Sequence, residues 1–427
     1  MGGSASPCFP GEYATTSRSQ NAYCTPSQRP AACRRSMKKP SLFIIFLTVF
    51  VDLIGFGICL PLLPQYAKLY GAEGLAVGLI MSSYSLMQLF FAPWWGQLSD
   101  RIGRRPVILI SNCGSVFAYA LWAFSATQDH QLAYWLLLAS RVMAGICGAN
   151  ISVASAYIAD VTTPENRSRG MGMIGMAFGL GFILGPFIGG VAFAKFGASG
   201  PGVVASIICA LNFISGCFIL VESRDPNAVQ PVRRQRMAQI GHVLALPEVG
   251  FLIMLYFLAT FSFTCFESTL PLLLDDKFHY LPGQVGYIFA YCGLTGAMVQ
   301  GGGIGRLVKS FGERKLIWAS LVVVALSLVL LPYMAGLAGL LFALAIFSAG
   351  SGINRAPTMG LISQNSPAAE QGATLGVAQS AGTLARVLGP LFATKLYSIH
   401  RPAPYLACAG IALAAGLVAR QRLAKST

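Results

Sequence analysis

The chain has 427 residues, of which 55% are hydrophobic and only 11% are charged. A soluble chain carries about 25% charged residues, and its core could not bury this much apolar surface, so the composition excludes a soluble globular protein. The formal net charge of +15 would suit a nucleic-acid-binding protein. The basic residues, however, lie in short clusters between apolar runs of about 20 residues, a length that spans a lipid bilayer. The composition therefore predicts an all-α integral membrane protein, in contact with lipid and not with nucleic acid.

The sequence lacks the short motifs that bring ATP or a metal ion to a protein. It has no GxxxxGK[ST] sequence, its four histidines are scattered, and no two of its 11 cysteines have CxxC spacing. No nucleophile–base pair occurs within the apolar segments. We therefore expect no cofactor, no metal site and no enzymatic activity.

Residues 1–40 are polar, rich in Ser, Pro, Ala and Arg, and without periodicity. Such a composition is typical of disorder. Two interpretations remain open. The segment is either a disordered cytosolic tail or an extension upstream of a natural start at Met37, which is followed by two lysines and an apolar run.

Twelve apolar segments follow, each long enough to cross a bilayer as a helix. We place them at 41–64, 74–95, 107–126, 132–158, 170–194, 202–221, 249–272, 282–304, 316–333, 336–360, 373–394 and 403–419. The longest connection, 223–248, is predicted to be a cytosolic linker. It divides the chain into an N-terminal six-helix half, 41–222, and a C-terminal six-helix half, 249–427.

Lysine and arginine are distributed unevenly over the loops. The termini and the loops after even-numbered segments hold 22 of the 30, whereas the loops after odd-numbered segments hold five. Because cytosolic loops of membrane proteins are enriched in Lys and Arg, both termini are predicted to be cytoplasmic. An even number of crossings agrees with this orientation.

The two halves share sequence features at nearly constant offsets. The sequence LPLL at 60–63 recurs at 270–273, the loop 96–105 matches 305–314, and LGP at 184–186 recurs at 388–390. The three offsets are 210, 209 and 204 residues. The pattern predicts a parallel repeat about an axis along the membrane normal, as in transporters with a site between two moving halves.

A dense motif of glycine and charged residues follows the second segment: Gly96, Asp100, Arg101, Gly103, Arg104 and Arg105. It resembles the signature loop of the major facilitator superfamily. Residues 141–145 and 181–190 are similar to further motifs of that family, the latter being typical of its drug/proton antiporter branch. Residues 51–57 and 156–160 resemble the tetracycline-resistance group. The resemblance covers the chain from residue 41 onward, more weakly in the second half, and implies a twelve-helix fold with alternating access.

The charged loop is a candidate gating latch. A carboxylate at the turn, Asp100, can cap the positive N-terminus of a nearby helix. Arg104 can pair with Asp160, which ends the fourth segment on the same face. Such a pair would hold the cytosolic side closed in one state and break in the other. The alternative is that these basic residues serve only to keep the loop in the cytosol.

The fifth segment carries a row of small residues around a proline: Gly181, Gly185, Pro186, Gly189 and Gly190. Glycines spaced by four residues allow two helices to approach closely, and proline kinks a helix. We expect this row to act as a hinge or seal between the halves, with static packing as the alternative.

Intramembrane charges are the strongest site candidates because burying them in lipid is costly. Asp52 lies about 17 Å into the first segment at 1.5 Å per residue, and Arg141 reaches a similar depth. We expect Asp52 to carry the coupled proton with Arg141 tuning it, and Glu267 to be the second candidate. The alternative is that these groups form fixed ion pairs. The residues expected at a substrate cavity are Tyr84, Gln88, Asn150, Arg355 and Arg386.

The resemblance fails at two positions. Tetracycline exporters typically have acidic residues inside segments 3 and 9, where this chain has Ala118 and Val324. Tetracycline is therefore not the expected substrate. Three intramembrane arginines against two carboxylates are compatible with an amphiphilic or anionic one.

The sequence thus predicts a secondary transporter that exports small amphiphilic compounds or drugs by proton antiport. The alternatives are uptake or facilitated transport of a metabolite, such as an organic anion, and a non-transporting membrane sensor. Its expected partners are a small-molecule substrate, protons and lipid. We expect a monomer in the plasma membrane, which in a bacterium is the inner membrane.

Overall fold

The computed structural model describes residues 41–162, 167–224, 236–367 and 370–424. Regular structure in these ranges is helical. The α-helices are α1 (Leu42–Cys59), α2 (Leu63–Leu69), α3 (Leu75–Ile102), α4 (Arg104–Ser125), α5 (His130–Cys147), α6 (Ile151–Val161), α7 (Arg167–Phe196), α8 (Gly200–Ile219), α9 (Arg236–Ala245), α10 (Pro247–Phe278), α11 (Pro282–Met298), α12 (Ile304–Phe311), α13 (Glu313–Leu330), α14 (Gly336–Gln364), α15 (Gln371–Ile399) and α16 (Ala403–Ala424). The expected tail 1–40 and residues 225–235 of the expected linker lie outside the described residues.

The helices form twelve spans. Ten helical stretches in the described part of the chain are long and apolar enough to cross a membrane by length and composition. Two of them are composite: α1 and α2 form the first, and α5 and α6 form the fourth. The remaining two spans are the eighth, α11 with α12, and the eleventh, α15. Glycine, alanine and hydroxyl side chains lower their hydropathy, which suits close packing better than contact with lipid.

Several spans are longer than their apolar segments. The second was predicted at 74–95 and extends to Ile102, and the seventh was predicted at 249–272 and extends to Phe278. A helix satisfies its backbone hydrogen bonds internally, so it continues past the hydrocarbon into polar residues. The expected linker also contains a helix, α9.

The matched loops of the two halves each contain a glycine with positive φ between two helices. Gly103 joins α3 to α4 with a φ of 103°, and Gly312 joins α12 to α13 with a φ of 77°. Both angles lie in the region that favours glycine. The repeat predicted from 96–105 and 305–314 therefore has a structural counterpart.

Each half has its own apolar core. In the N-terminal half one buried cluster includes Ile58 and Trp122, and a second includes Trp95 and Tyr157. The C-terminal half has two further clusters of its own. The halves meet mainly where α3 packs on α15 and α7 packs on α11. The large buried clusters therefore lie within one half or the other and do not cross this boundary.

Candidate functional site

A cavity of about 260 Å³ lies between the two halves. Both halves contribute aromatic side chains to its wall: Phe56, Phe178, Phe182, Tyr256, Phe263, Phe266, Phe289 and Phe347. Four of the five residues expected at a cavity line it: Tyr84, Gln88, Arg355 and Arg386. Asn150, the fifth, lines a smaller pocket beside Asp52, and its place at the substrate cavity stays a prediction. An apolar wall with few polar groups is typical of a small-molecule site.

Three arginines and one carboxylate line the central cavity: Arg141, Arg355, Arg386 and Glu267. Arg141 is 1% exposed. The carbon at the centre of its guanidinium lies 5.4 Å from the ring centre of Tyr119 and 5.6 Å from that of Trp122. Its Nη2 donates to Ser140 Oγ over 3.0 Å, whereas its Nε has no acceptor among the described residues. Arg141 Nε is therefore a buried donor without a partner among the described residues, in a side chain that lines the cavity.

The other two arginines occupy different parts of the wall. Arg355, from the C-terminal half, lies 5.8 Å from the ring centre of Phe178 in the N-terminal half. Arg386 is the cation whose charge acts on Glu267, which is 6% exposed. The described residues form no direct ion pair or hydrogen bond with Glu267. The cavity thus presents more positive than negative charge.

Asp52 occupies a small pocket at the side of the central cavity. Leu53, Phe56 and Tyr84 are among the residues that line both spaces. Two amides hold the Asp52 carboxylate. Asn150 Nδ2 donates to Oδ2 over 2.8 Å, and Asn212 Nδ2 donates to Oδ1 over 3.2 Å.

A third amide completes this shell. In the orientation that satisfies both of its polar atoms, Asn112 donates to Asp52 Oδ2 over 3.0 Å and accepts from Asn212 over 3.2 Å. Among the described residues Arg141, which is expected to tune Asp52, forms no ion pair with it, and the tuning stays a prediction. Arg141 stacks between aromatic rings, and amides take the place of a cation around Asp52. Equal depth in the membrane did not place the two side chains on facing helix surfaces.

The charged loop after the second span forms the expected contact. Arg104 Nε lies 3.1 Å from Asp160 Oδ2, and its Nη1 lies 2.6 Å from Asp100 Oδ1. These three residues belong to the N-terminal half, so the two Arg104 contacts join spans of that half. The role of the charged loop as a latch stays a prediction. We call the end of the bundle that contains this loop the loop end.

The start of α4 is capped by a second carboxylate, while the cap expected from Asp100 stays a prediction. Glu222, just after α8, accepts hydrogen bonds from the backbone N–H of Arg104 over 2.8 Å and of Arg105 over 3.0 Å. These N–H groups open α4 and have no partner within the helix. Arg101 is also tied to this region, because its carbonyl accepts a 2.7 Å bond from Arg224 Nη1.

The small residues of the fifth span face two different partners. A Cβ on Gly185 would lie 2.6 Å from the Cα of Gly57 in α1, and Gly181 and Gly189 also pack on α1. These three contacts lie within one half, and the role of these glycines as a hinge or seal between the halves stays a prediction. Gly190 does face the other half: its Cβ would lie 2.6 Å from the Gly283 carbonyl oxygen. The neighbouring Pro186 also faces α11, across from Gly286.

Opposite the loop end, a charged cluster joins the halves. Lys68 Nζ lies 2.5 Å from Asp275 Oδ2 and 2.5 Å from Asp276 Oδ1. Asp276 also accepts a 3.0 Å hydrogen bond from the Tyr397 hydroxyl and lies 3.4 Å from Arg401 Nε. We call these five residues the outer cluster.

Comparisons with known proteins identify the family. A family model described as the Major Facilitator Superfamily matches residues 45–390. The chain belongs to this superfamily. It is 31% identical to the class D tetracycline resistance protein of Salmonella ordonez, over 85% of this chain and 90% of that protein. It is 33% identical to the class C protein of Escherichia coli, over 84% and 90%.

A solved member of the superfamily gives a similar result. The human organic anion transporter MFSD10 (TETRAN) matches with a TM-score of 0.65 and 27% identity, covering 88% of this chain and 98% of that one. The predicted twelve-helix fold and the resemblance to tetracycline resistance proteins are confirmed. The chain is a multi-span membrane transporter, and its relatives are not enzymes.

Sequence reasoning missed several residues of this superfamily member. Asn112 and Asn212 satisfy the criterion that selected Asn150, a polar side chain within an apolar run, and could have been found by it. Glu222 carried no such signal because it lies 118 residues from its partner Arg104. Lys68 was counted only as a loop charge.

Proposed function

We propose that this transporter exports small amphiphilic compounds by proton antiport and alternating access. The observation that carries the proposal is the cavity between the halves. Its aromatic wall suits the apolar part of a ligand, while its arginines and Glu267 suit a polar or charged part. The similarity to tetracycline resistance proteins supports export.

The contacts between the halves support an inward-facing state. Gln65 Nε2 donates to the Tyr280 carbonyl over 2.9 Å, and Lys68 contacts Asp275. Both lie at the end opposite the loop end. Towards the loop end the cavity wall includes Gly175 and Gly179, where a Cβ would meet nothing within 4 Å. We infer that this state loads substrate from the side of the loop end, which the charge distribution assigns to the cytosol.

Two carboxylates are available for proton coupling. The proton affinity of a carboxylate depends on its solvation and on neighbouring charge, and both change when a cavity opens to the other side. We propose that Asp52 carries the proton and that Glu267 is the second candidate. Arg141, which lines the central cavity with an unused Nε, is proposed to contact substrate instead of pairing with Asp52.

A second candidate function is transport of organic anions. Three arginines face the cavity against a single carboxylate, and a similar structure is that of a human organic anion transporter. Val324 lines the cavity and Ala118 is fully buried, so neither position supplies an acidic group. This charge balance favours an anionic over a cationic substrate.

Two fluorescent probes with matched ring systems distinguish these candidates. Fluorescein is anionic and rhodamine 123 is cationic, and their accumulation is measured in an efflux-deficient bacterial host. General export of amphiphiles lowers the accumulation of both, whereas anion transport lowers that of fluorescein alone. Arg386→Gln should abolish the effect on fluorescein. Unchanged accumulation of both by folded wild type would remove the support for export and favour uptake of a metabolite or a sensor.

The remaining architectural proposals follow from the same account. We propose that residues 41–222 and 249–427 move as the two halves, joined by a cytosolic linker at 223–248. We also propose that a single chain suffices, because the cavity is lined by both halves of one chain. Both termini are proposed to be cytoplasmic, in a plasma membrane.

A further inference from the structure

The fourth span is broken next to Asp52. Residues Gly148–Asn150 form a 3₁₀ turn between α5 and α6. A 3₁₀ stretch within a longer helix often marks a functional hinge. Asn150 is the last residue of this turn, and its side chain is the one that donates to Asp52 over 2.8 Å.

Side chains from other spans satisfy the carbonyl groups around the break. Gln88 Nε2 donates to the Gly148 carbonyl over 3.1 Å, and Ser111 Oγ donates to the Cys147 carbonyl over 2.5 Å. The indole nitrogen of Trp95 donates to the Ile146 carbonyl over 2.6 Å. Three consecutive carbonyls are thus bonded from α3 and α4. Because a break in lipid requires such partners, this one is supported by the surrounding spans.

We propose that Asn150 is a positioning residue that transmits the charge state of Asp52 to the break in the fourth span. The inference rests on the proposed role of Asp52 as the proton carrier. Asn112 and Asn212 complete the amide shell from α4 and α8, both of which are continuous helices. Of the three amides, only that of Asn150 lies at the break.

The chemistry of the carboxyl group makes this link directional. An ionised carboxylate accepts hydrogen bonds at both oxygens, whereas a protonated carboxyl also donates one. Protonation of Asp52 therefore puts a donor where an amide N–H now donates, and that amide must turn or leave. Hydrogen bonds to a charged group are also stronger than those to a neutral one. Neutral Asp52 consequently holds Asn150, and the start of α6, less firmly.

Other titratable side chains face Asp52 from the helices packed around it. Tyr84 is on α3, Tyr119 on α4, Cys147 on α5 and Cys209 on α8. Tyrosine and cysteine are ordinarily neutral at pH 7. Arg141 lies against the Tyr119 ring, and among the described residues it forms no ion pair with Asp52. Asp52 is therefore the charge that the amides of this pocket respond to.

The test is a double-mutant cycle read by hydrogen–deuterium exchange, which requires no transport. Asp52→Asn represents the neutral carboxyl, and exchange is measured for peptides covering 146–158 in lipid nanodiscs. In protein that keeps Asn150, Asp52→Asn should raise the exchange rate of these peptides about tenfold. This is the ratio expected for the loss of one hydrogen bond to a charged group. In the Asn150→Leu background the same change should have no further effect.

The matched control is Asn212→Leu. Asn212 also bonds Asp52 but lies on a continuous helix, so the response of the break to Asp52→Asn should persist in that background. If Asn150→Leu does not fold, Asn150→Ser replaces it. The inference would be overturned if Asp52→Asn left the exchange rate unchanged. It would also be overturned if Asp52→Asn had the same effect with Asn150 as with Asn150→Leu, even if transport proves to be proton-driven. If the exchange rate responds as expected but transport is not proton-driven, the link from Asp52 through Asn150 to the break is retained. The role of Asp52 as proton carrier is then refuted.

Discussion

The outer cluster should stabilise the state in which the end opposite the loop end is closed. Lys68 contacts Asp275 and Asp276 across the boundary between the halves, and its side chain is 43% exposed. A partly exposed ion pair contributes about 0.2–1 kcal/mol. Two such contacts therefore sum to about 1 kcal/mol, which corresponds to about a fivefold change in an equilibrium constant. Lys68→Gln should shift the population towards the outward-open state by that factor.

The shift can be measured as a distance distribution between spin labels at Thr127 and Tyr333, one on each half, in a background without native cysteines. The long-distance population should grow in Lys68→Gln, and this difference should shrink in 1 M salt, which screens exposed charges. Exchanging the charges in Lys68→Glu with Asp275→Lys should recover part of the wild-type distribution. Lys195, an exposed lysine in the last turn of α7 at the same end, provides the control as Lys195→Gln. Distributions that do not distinguish Lys68→Gln from this control would refute the reasoning.

Two further predictions concern stability. Gly57→Ala should destabilise the protein by about 1–3 kcal/mol, because the added Cβ would lie 2.5 Å from the Gly181 carbonyl oxygen. Thermal unfolding should show no comparable loss for Gly179→Ala, which meets open space, and equal losses would contradict close packing of α1 on α7. Glu222→Gln should cost about 1 kcal/mol, since it removes the charge that caps α4. The same measurement on Glu73→Gln, at an exposed loop position, should show little change, and an unaltered Glu222→Gln would rule out the cap.

Hydropathy was sufficient to predict twelve helical spans because spans in lipid must be apolar and helical. The charge of the loops predicts an orientation, which stays a prediction. The positions of Tyr84 and Arg386 at the cavity also followed from the rule that polar groups in a span avoid lipid. Depth along a helix could not provide the direction that each side chain faces. Asp52 and Arg141 have similar depth, yet Asp52 meets amides and Arg141 meets aromatic rings.

The motifs predicted which residues make contacts, but not which helices or which halves of the molecule those contacts connect. Arg104 does meet Asp160, but on one half of the molecule. The row of glycines in α7 does allow close approach, but mainly to α1. Spacing along a helix identifies which residues share a face, whereas the partner of that face depends on the packing of distant spans. For the same reason the sequence did not indicate that Asn212 would join Asn150 around Asp52.

The central claim is that Asp52 couples proton movement to export through the cavity between the halves. The most direct test measures uptake into proteoliposomes across whose membrane a pH gradient is imposed. The substrate is the fluorescent probe that wild type excludes from cells. We predict that wild type accumulates this probe when the lumen is acidic. We also predict that Asp52→Asn loses accumulation while still allowing downhill exchange. Equal gradient-driven accumulation by wild type and Asp52→Asn would contradict the claim.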